Sequence, residues 1–198
     1  MIKAHDLSTR SNRTRQQIID AAIETLKEEG FAGTSTRAIA RRGGFNQALV
    51  FYHYGSLNDL LLAALDQLGE HRMARFCEQL EGVQTWADLV AMARRIYAED
   101  LESGHMAVIS QLVAGSFAHP ELGPQVVARM EPWIAFGEDA VSRVVSGTPL
   151  EGLLAPRELA YAAVTLYLGI NLLTQLDADR SRTDRLFAAA ERVSALLA

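Results

Sequence analysis

A single cysteine, Cys77, in 198 residues excludes an internal disulfide framework, and such cysteine usage suits a reducing cytoplasm. By type, Cys77 reads as a small apolar core residue. The most apolar later stretch, Tyr161 to Leu176, falls short of the ~20 residues a membrane-spanning helix needs. The opening stretch MIKAHDLSTRSNRTR has no apolar segment to act as a secretory signal. A soluble cytoplasmic protein with no membrane partner is therefore expected. Runs of alternating β-branched residues are missing as well, which argues against a sheet, and neither an internal repeat nor a low-complexity segment interrupts the chain. What is present is a composition 49% hydrophobic and 22% charged, enough to bury a sizeable core in one folded unit, or one with a small appendage.

Charge is unevenly divided. The first 54 residues carry eight basic and five acidic side chains, net +3, and the other 144 carry 11 basic and 19 acidic, net −8. A basic end on an acidic body suits a protein of which only that end approaches phosphates.

Apolar residues recur at helical spacing along nearly the whole chain, so the fold class is all-α, with about nine helices. The first is expected from about Asn12 to Glu29, with Ile18, Ile19, Ala22, Ile23 and Leu26 inward, Gly30 as its stop and Phe31 as an apolar staple. Ser56 and Asp59 form a capping-box-like start to a long connecting helix. Further helices are expected from Trp86 to before Ser103, over Met106–Phe117, over Val126–Val145 with a kink or restart at Pro132, and over about Arg157–Leu176 and Thr183–Leu197. The domain reading is 1–55 and 56–198.

Between residues 34 and 54 two short helices fit. Ser35 caps the first, Ile39 and Ala40 point inward, and Arg37, Arg41 and Arg42 face out. Gly43 and Gly44 turn the chain, Phe45 plugs the turn, and Asn46 can cap a second helix from Gln47 to about Tyr54. The pattern is a helix-turn-helix braced by the first helix, a unit that enters the DNA major groove by the N-terminal residues of its second helix.

The segments TRQQIIDAAIETLKEEGFAGTSTRAIARRGG and FNQALVFYHYGSLNDLL, over about residues 14 to 61, resemble the tetracycline-repressor (TetR) family of transcriptional regulators. The resemblance implies an N-terminal three-helix DNA-binding domain and a C-terminal helical ligand-binding and dimerisation domain. It assigns Gln47 to a base contact, for which a bidentate amide pair with adenine is the chemistry, and Arg37 to a guanine. Thr36, Asn46, Tyr52 and His53 look like phosphate contacts, and Leu49 can meet a thymine methyl. Arg10, Arg13 and Arg15 stand where family members send a basic arm to the backbone or minor groove. Phe51 and Leu57 depart from the family pattern, which has a tyrosine and a lysine there, so weaker or differently placed backbone anchoring is expected.

For the body, the resemblance implies a pocket among the middle helices, with Tyr97, His105, Gln111, Phe117, Trp133, Phe136 and Tyr167 as candidate lining for a mostly apolar effector. Pro132, Gly104 and Gly137 are irregularities of the kind that leave space between helices. The last two helices carry a wide apolar face, including Ala163, Tyr167, Ile170 and Leu173 on one and Phe187, Ala190 and Val193 on the other. A single chain would struggle to bury it, whereas a homodimer buries it in a four-helix bundle. The expected partners are double-stranded operator DNA, a second copy and a small-molecule effector. No cofactor, metal or catalytic residue is expected. Glu102 and His105 form one Glu-x-x-His pair where a di-iron bundle needs two, and Cys77 with His71 has no third partner. The competing reading is a dimeric DNA-binding protein, constitutive or architectural, that senses nothing.

Overall fold

The computed structural model describes the backbone of residues 2–103, 105–153, 155–177 and 179–196, and the side chains of residues 2–8, 10, 102, 103, 105 and 107 also lie outside the described residues. Among the described residues ten helices follow one another: α1 (Ile2–Gly33), α2 (Thr36–Gly43), α3 (Ala48–Tyr54), α4 (Leu57–Leu80), α5 (Trp86–Ser103), α6 (His105–Ala118), α7 (Leu122–Ala128), α8 (Glu131–Val145), α9 (Pro156–Leu176) and α10 (Ser181–Ser194). No strand occurs among the described residues. The tenth helix arises because the segment expected over Val126–Val145 is two helices. Pro132 sits in the first turn of α8, where its missing N–H costs nothing, so it starts a helix rather than kinking one.

Packing groups the chain into two compact units: residues up to Gly69 with Ala107–Val126, and Glu70–Met106 with Val127 onward. The first half of α4 and most of α6 thus group with α1, α2 and α3. In the first unit Ile18, Leu26, Ile39, Val50, Leu60, Leu61 and Leu112 are fully buried, each favoured by roughly 1.5–3 kcal/mol on leaving water. In the second, Phe76, Leu80, Val83, Met92, Ala140, Val141, Val144 and Val145 form one apolar cluster. Phe76 takes the inward place on α4, and its neighbour Cys77 is exposed rather than a core residue.

Two elements differ from expectation in ways that bear on function. α1 begins at Ile2, so Arg13 and Arg15 lie well inside a helix and not in a preceding arm. At its other end Gly30 adopts φ 67° and ψ 179°, a conformation open only to glycine, and the chain resumes a short helical turn. The Phe31 ring then seats on Gly115, where a Cβ would come within 2.3 Å of it. Phe31 is thus a long-range plug and not the local staple that its place after Gly30 suggests.

α9 is longer than the apolar run read from sequence. Over Pro156–Leu176 it is 21 residues long and apolar enough to cross a bilayer by length and composition, with 17% of that window buried. Its exposed apolar residues include Leu166, Leu172, Leu173 and Leu176.

Candidate nucleic-acid interface

The glycine pair at the end of α2 divides two jobs. Gly44 takes φ 68°, the left-handed cap of α2, and its N–H donates to the Ala40 carbonyl. Gly43 has no such constraint. A Cβ there would lie 2.1 Å from the Phe45 ring, so the missing side chain is what lets Phe45 fold under the turn. At the start of α2 the Ser35 hydroxyl accepts a 3.1 Å bond from the Ala38 N–H. This leaves Thr36 half-buried in the first turn and Arg37 exposed.

α3 begins with an Asx turn: Asn46 Oδ1 accepts from the Ala48 N–H at 2.9 Å, and the Asn46 carbonyl accepts from Leu49. Gln47 occupies the N-cap position, exposed, with no capping bond from its side chain. Its amide is therefore available to an outside partner at the end of the helix. Leu49 is half-buried, and Val50 is fully buried. Tyr52 is 81% exposed and packs edge-on against half-buried His53, with 4.8 Å between ring centroids. Phe51 is also exposed.

Not every arginine that faces out is available. Arg42 pairs with Glu28 at 2.5 Å and Arg41 with Glu29 at 3.1 Å, both acids coming from α1. The Arg42 guanidinium holds the Glu28 carboxyl below its ordinary value, and Glu28 raises Arg42 in turn. Lys27 pairs with Glu24. Arg13 and Arg37 form no ion pair among the described residues. The free positive charge of this end is thus more localised than the +3 count suggests.

Sequence reasoning missed the side chains of α1 that hold the other two helices. Gln17 Nε2 donates to the Gly43 carbonyl at 2.8 Å, and an Arg15 guanidinium N–H donates to the His53 carbonyl at 3.1 Å. Nothing in the local pattern marks these contacts, because each partner lies 26 or 38 residues away.

Residues 18–64 match the profile described as bacterial regulatory proteins, tetR family. Over these residues the chain is similar to the TetR family. Among curated relatives, the transcriptional regulator UidR of Escherichia coli is 26% identical over 117 residues, 59% of each chain. This chain therefore covers less than two thirds of that relative's length. The transcriptional repressor Rv3405c of Mycobacterium tuberculosis is 46% identical over 52 residues, 26% of this chain and 28% of that one. Among solved structures, a TetR-family transcriptional regulator from Cytophaga hutchinsonii superposes with a TM-score of 0.77 at 16% identity, covering 95% of this chain and 96% of that one. The TetR fold thus extends through the body, beyond the residues that carry the sequence match.

The candidate pocket residues are divided between the two units. Gln111 and Phe117 belong to the first unit: Gln111 Oε1 accepts the Phe31 N–H at 2.8 Å, and Phe117 is 85% exposed. Tyr97, Trp133, Phe136 and Tyr167 belong to the second. There Trp133 and Phe136 pack on the apolar cluster, and the buried Tyr97 hydroxyl donates to Thr174 Oγ1 at 3.1 Å. The Tyr167 hydroxyl donates to the buried Asp100 carboxylate, which is paired with Arg72. Burial raises the Asp100 and Tyr167 pKa values and lowers that of Arg72. The His105 side chain and the Glu102–His105 pair lie outside the described residues, as does Gly104. Gly137 does not open space: a Cβ on it would meet the Ala160 Cβ at 3.2 Å, so it lets α8 approach α9 closely.

Of the residues read as a dimer face, Ala163, Leu173 and Val193 are exposed, and Tyr167, Ile170 and Ala190 are half-buried. Phe187 turns inward at 7% exposure, its ring 5.4 Å from that of Tyr97. It fills its own unit's core and is not available to a partner. No group of three or more His, Cys, Asp or Glu residues is placed to hold a metal among the described residues.

Proposed function

We propose that this protein is a sequence-specific DNA-binding transcriptional regulator, a cytoplasmic repressor that a small, mostly apolar ligand releases from a palindromic operator. The observation that carries the reading is Gln47: an exposed amide, free of capping duty, at the N-terminal end of a short helix whose far end is tied down. Gln47 and Leu49 read bases, with Arg37 reaching a guanine from α2. Thr36, Asn46, Tyr52, His53 and Arg13 fix the register on phosphates. For Asn46 that contact falls to its Nδ2, since Oδ1 caps α3.

A second copy docks on the exposed face of α9 and α10, formed by Ala163, Leu166, Leu173 and Val193 with Ile170 and Ala190 at its margin. The resulting two-fold axis matches a palindrome when the two recognition helices stand about 34–36 Å apart. A ligand that prefers a dimer with different spacing lowers operator affinity by its differential affinity for the two states. The close approach of α8 to α9 at Gly137 favours a second reading, in which the body only dimerises and binding is constitutive.

The test is selection of bound duplexes from a random pool with the purified protein, followed by a metabolite panel for release. Enrichment of a palindrome is expected, together with release by an apolar compound. Only non-specific, salt-sensitive binding would remove the regulator reading. Enrichment without release by any compound would leave the constitutive one.

A further inference from the structure

α2 and α3 each end in carbonyl groups that no further helical turn can satisfy. In both cases α1 supplies the donor. Gln17 Nε2 reaches the carbonyl of Gly43, the last residue of α2, at 2.8 Å. Arg15 reaches the carbonyl of His53, one residue from the end of α3, at 3.1 Å. Two residues apart on a helix, these side chains leave the axis about 200° from one another. α1 is therefore gripped on two sides by the ends of the helices it braces.

The α3 contact is reciprocal. The Tyr54 hydroxyl donates to the Arg15 backbone carbonyl at 2.9 Å, and the Arg15 guanidinium lies 4.8 Å from the centre of the Tyr54 ring. Arg15 thus both gives and receives a hydrogen bond with adjacent residues of α3 and stacks on one of them. A cation at a helix C-terminus is favoured by the dipole as well. The C-terminal end of the seven-residue α3 is thus held at two points, opposite the end that carries Gln47.

We propose that Arg15 is a positioning residue for base reading and makes no phosphate contact itself: with Tyr54 it fixes the angle at which α3 presents Gln47. The inference rests on the DNA-binding reading above, and it departs from the basic-arm role that the family resemblance implies for Arg15.

The two roles differ in salt dependence. Losing a phosphate contact lowers the slope of log K against log salt by roughly 0.9 and weakens all DNA alike. Losing a positioning contact leaves the slope and the non-specific affinity in place and lowers only the preference for the right sequence. The experiment measures full-length wild type, Arg15→Gln and Tyr54→Phe on the duplex enriched by the wild type and on a scrambled duplex, across a salt series. Thermal unfolding of each variant is recorded alongside.

The expected result is a specificity ratio about five- to ten-fold lower for Arg15→Gln and a smaller fall for Tyr54→Phe, which loses only a hydroxyl, with wild-type slopes for both. A slope reduced by about 0.9 with equal loss on both duplexes would make Arg15 a phosphate contact and overturn the proposal. So would an unchanged ratio in both variants. If Arg15→Gln fails to fold, Tyr54→Phe decides alone. If the wild type enriches no duplex, the regulator reading fails, and that outcome is visible before any variant is compared.

Discussion

The Phe31 N–H donates a 2.8 Å hydrogen bond to Oε1 of Gln111, eighty residues along the chain. The bond exists because Gly30 breaks α1 and frees an amide that a continuous helix would have used. The acceptor comes from a helix whose Gly115 also receives the Phe31 ring. Replacing Gln111 by leucine keeps the bulk and removes the only side-chain acceptor at that position. A loss of about 1–3 kcal/mol in urea unfolding is expected, with Gln111→Glu retaining most of the stability because it keeps an acceptor oxygen. Equal loss from both variants would show that the bond contributes little.

Base reading by Gln47 and phosphate gripping by Tyr52 predict different footprints on a binding profile. Gln47→Ala should cost about 1–3 kcal/mol at particular base pairs and relax preference there. Tyr52→Phe should weaken every site by a similar factor. Quantitative binding to a library of single-base operator variants separates them, and uniform loss from both would remove the readout role from Gln47.

Much of this architecture is legible in sequence because it is local. Apolar spacing marks the helices. Ser35 and the Ser56–Asp59 pair mark two starts, and both form: the Asp59 N–H donates to Ser56 Oγ at 3.0 Å. What is not legible is set by partners distant in sequence. Phe31 reads as a staple until Gly115 is beside it, and Arg41 and Arg42 read only as outward-facing cations until Glu29 and Glu28 are beside them. Gly137 within a helix suggests looseness, yet the missing Cβ brings Ala160 close. A glycine permits either a gap or a close approach, and only the neighbour decides which.

Arg72 and Asp100 are a buried ion pair in the second unit, with the Arg72 guanidinium 5.4 Å from the Phe76 ring centre and 5.1 Å from that of Trp133. Removing one partner strands a buried charge. Arg72→Met should therefore destabilise the protein by roughly 3–5 kcal/mol. The double variant Arg72→Met with Asp100→Asn should recover part of that loss, since neither charge is then left alone. A double variant as unstable as the sum of the singles, by chemical denaturation, would show that the pair is not coupled.

At the start of α5, Asp88 Oδ2 accepts from the Thr85 hydroxyl at 2.8 Å and from the backbone N–H groups of Thr85 and Gln84. These bonds, the Thr85 hydroxyl first, hold the Asp88 carboxyl below its ordinary value. A carboxyl with a lowered folded pKa contributes stability that is full above its unfolded pKa and is lost as pH falls through the folded one. An NMR titration should thus find Asp88 below an ordinary aspartate. Thr85→Val, which removes the hydroxyl, should raise it and make the protein less sensitive to acid in that range. An unmoved Asp88 titration in the variant would count against the cap.

The exposed face of α9 sets the last expectation. Leu173 is 65% exposed and Leu166 58% in the single chain, on a helix whose other side packs against α8. Leaving leucines of this size in water forgoes most of the roughly 1.5–3 kcal/mol each gains on burial, and a two-fold partner recovers it from both copies at once. Leu173→Glu would place a carboxylate against its own counterpart across that axis, adding like-charge repulsion to the lost apolar contact. Sedimentation velocity should show a dimer for the wild type and a monomer for Leu173→Glu. Leu153→Glu, on an exposed turn outside α9 and α10, should remain dimeric. The monomer should also lose affinity for a palindrome far more than for a half-site, because only the dimer engages both halves. A Leu173→Glu protein that still sediments as a dimer would place the interface elsewhere.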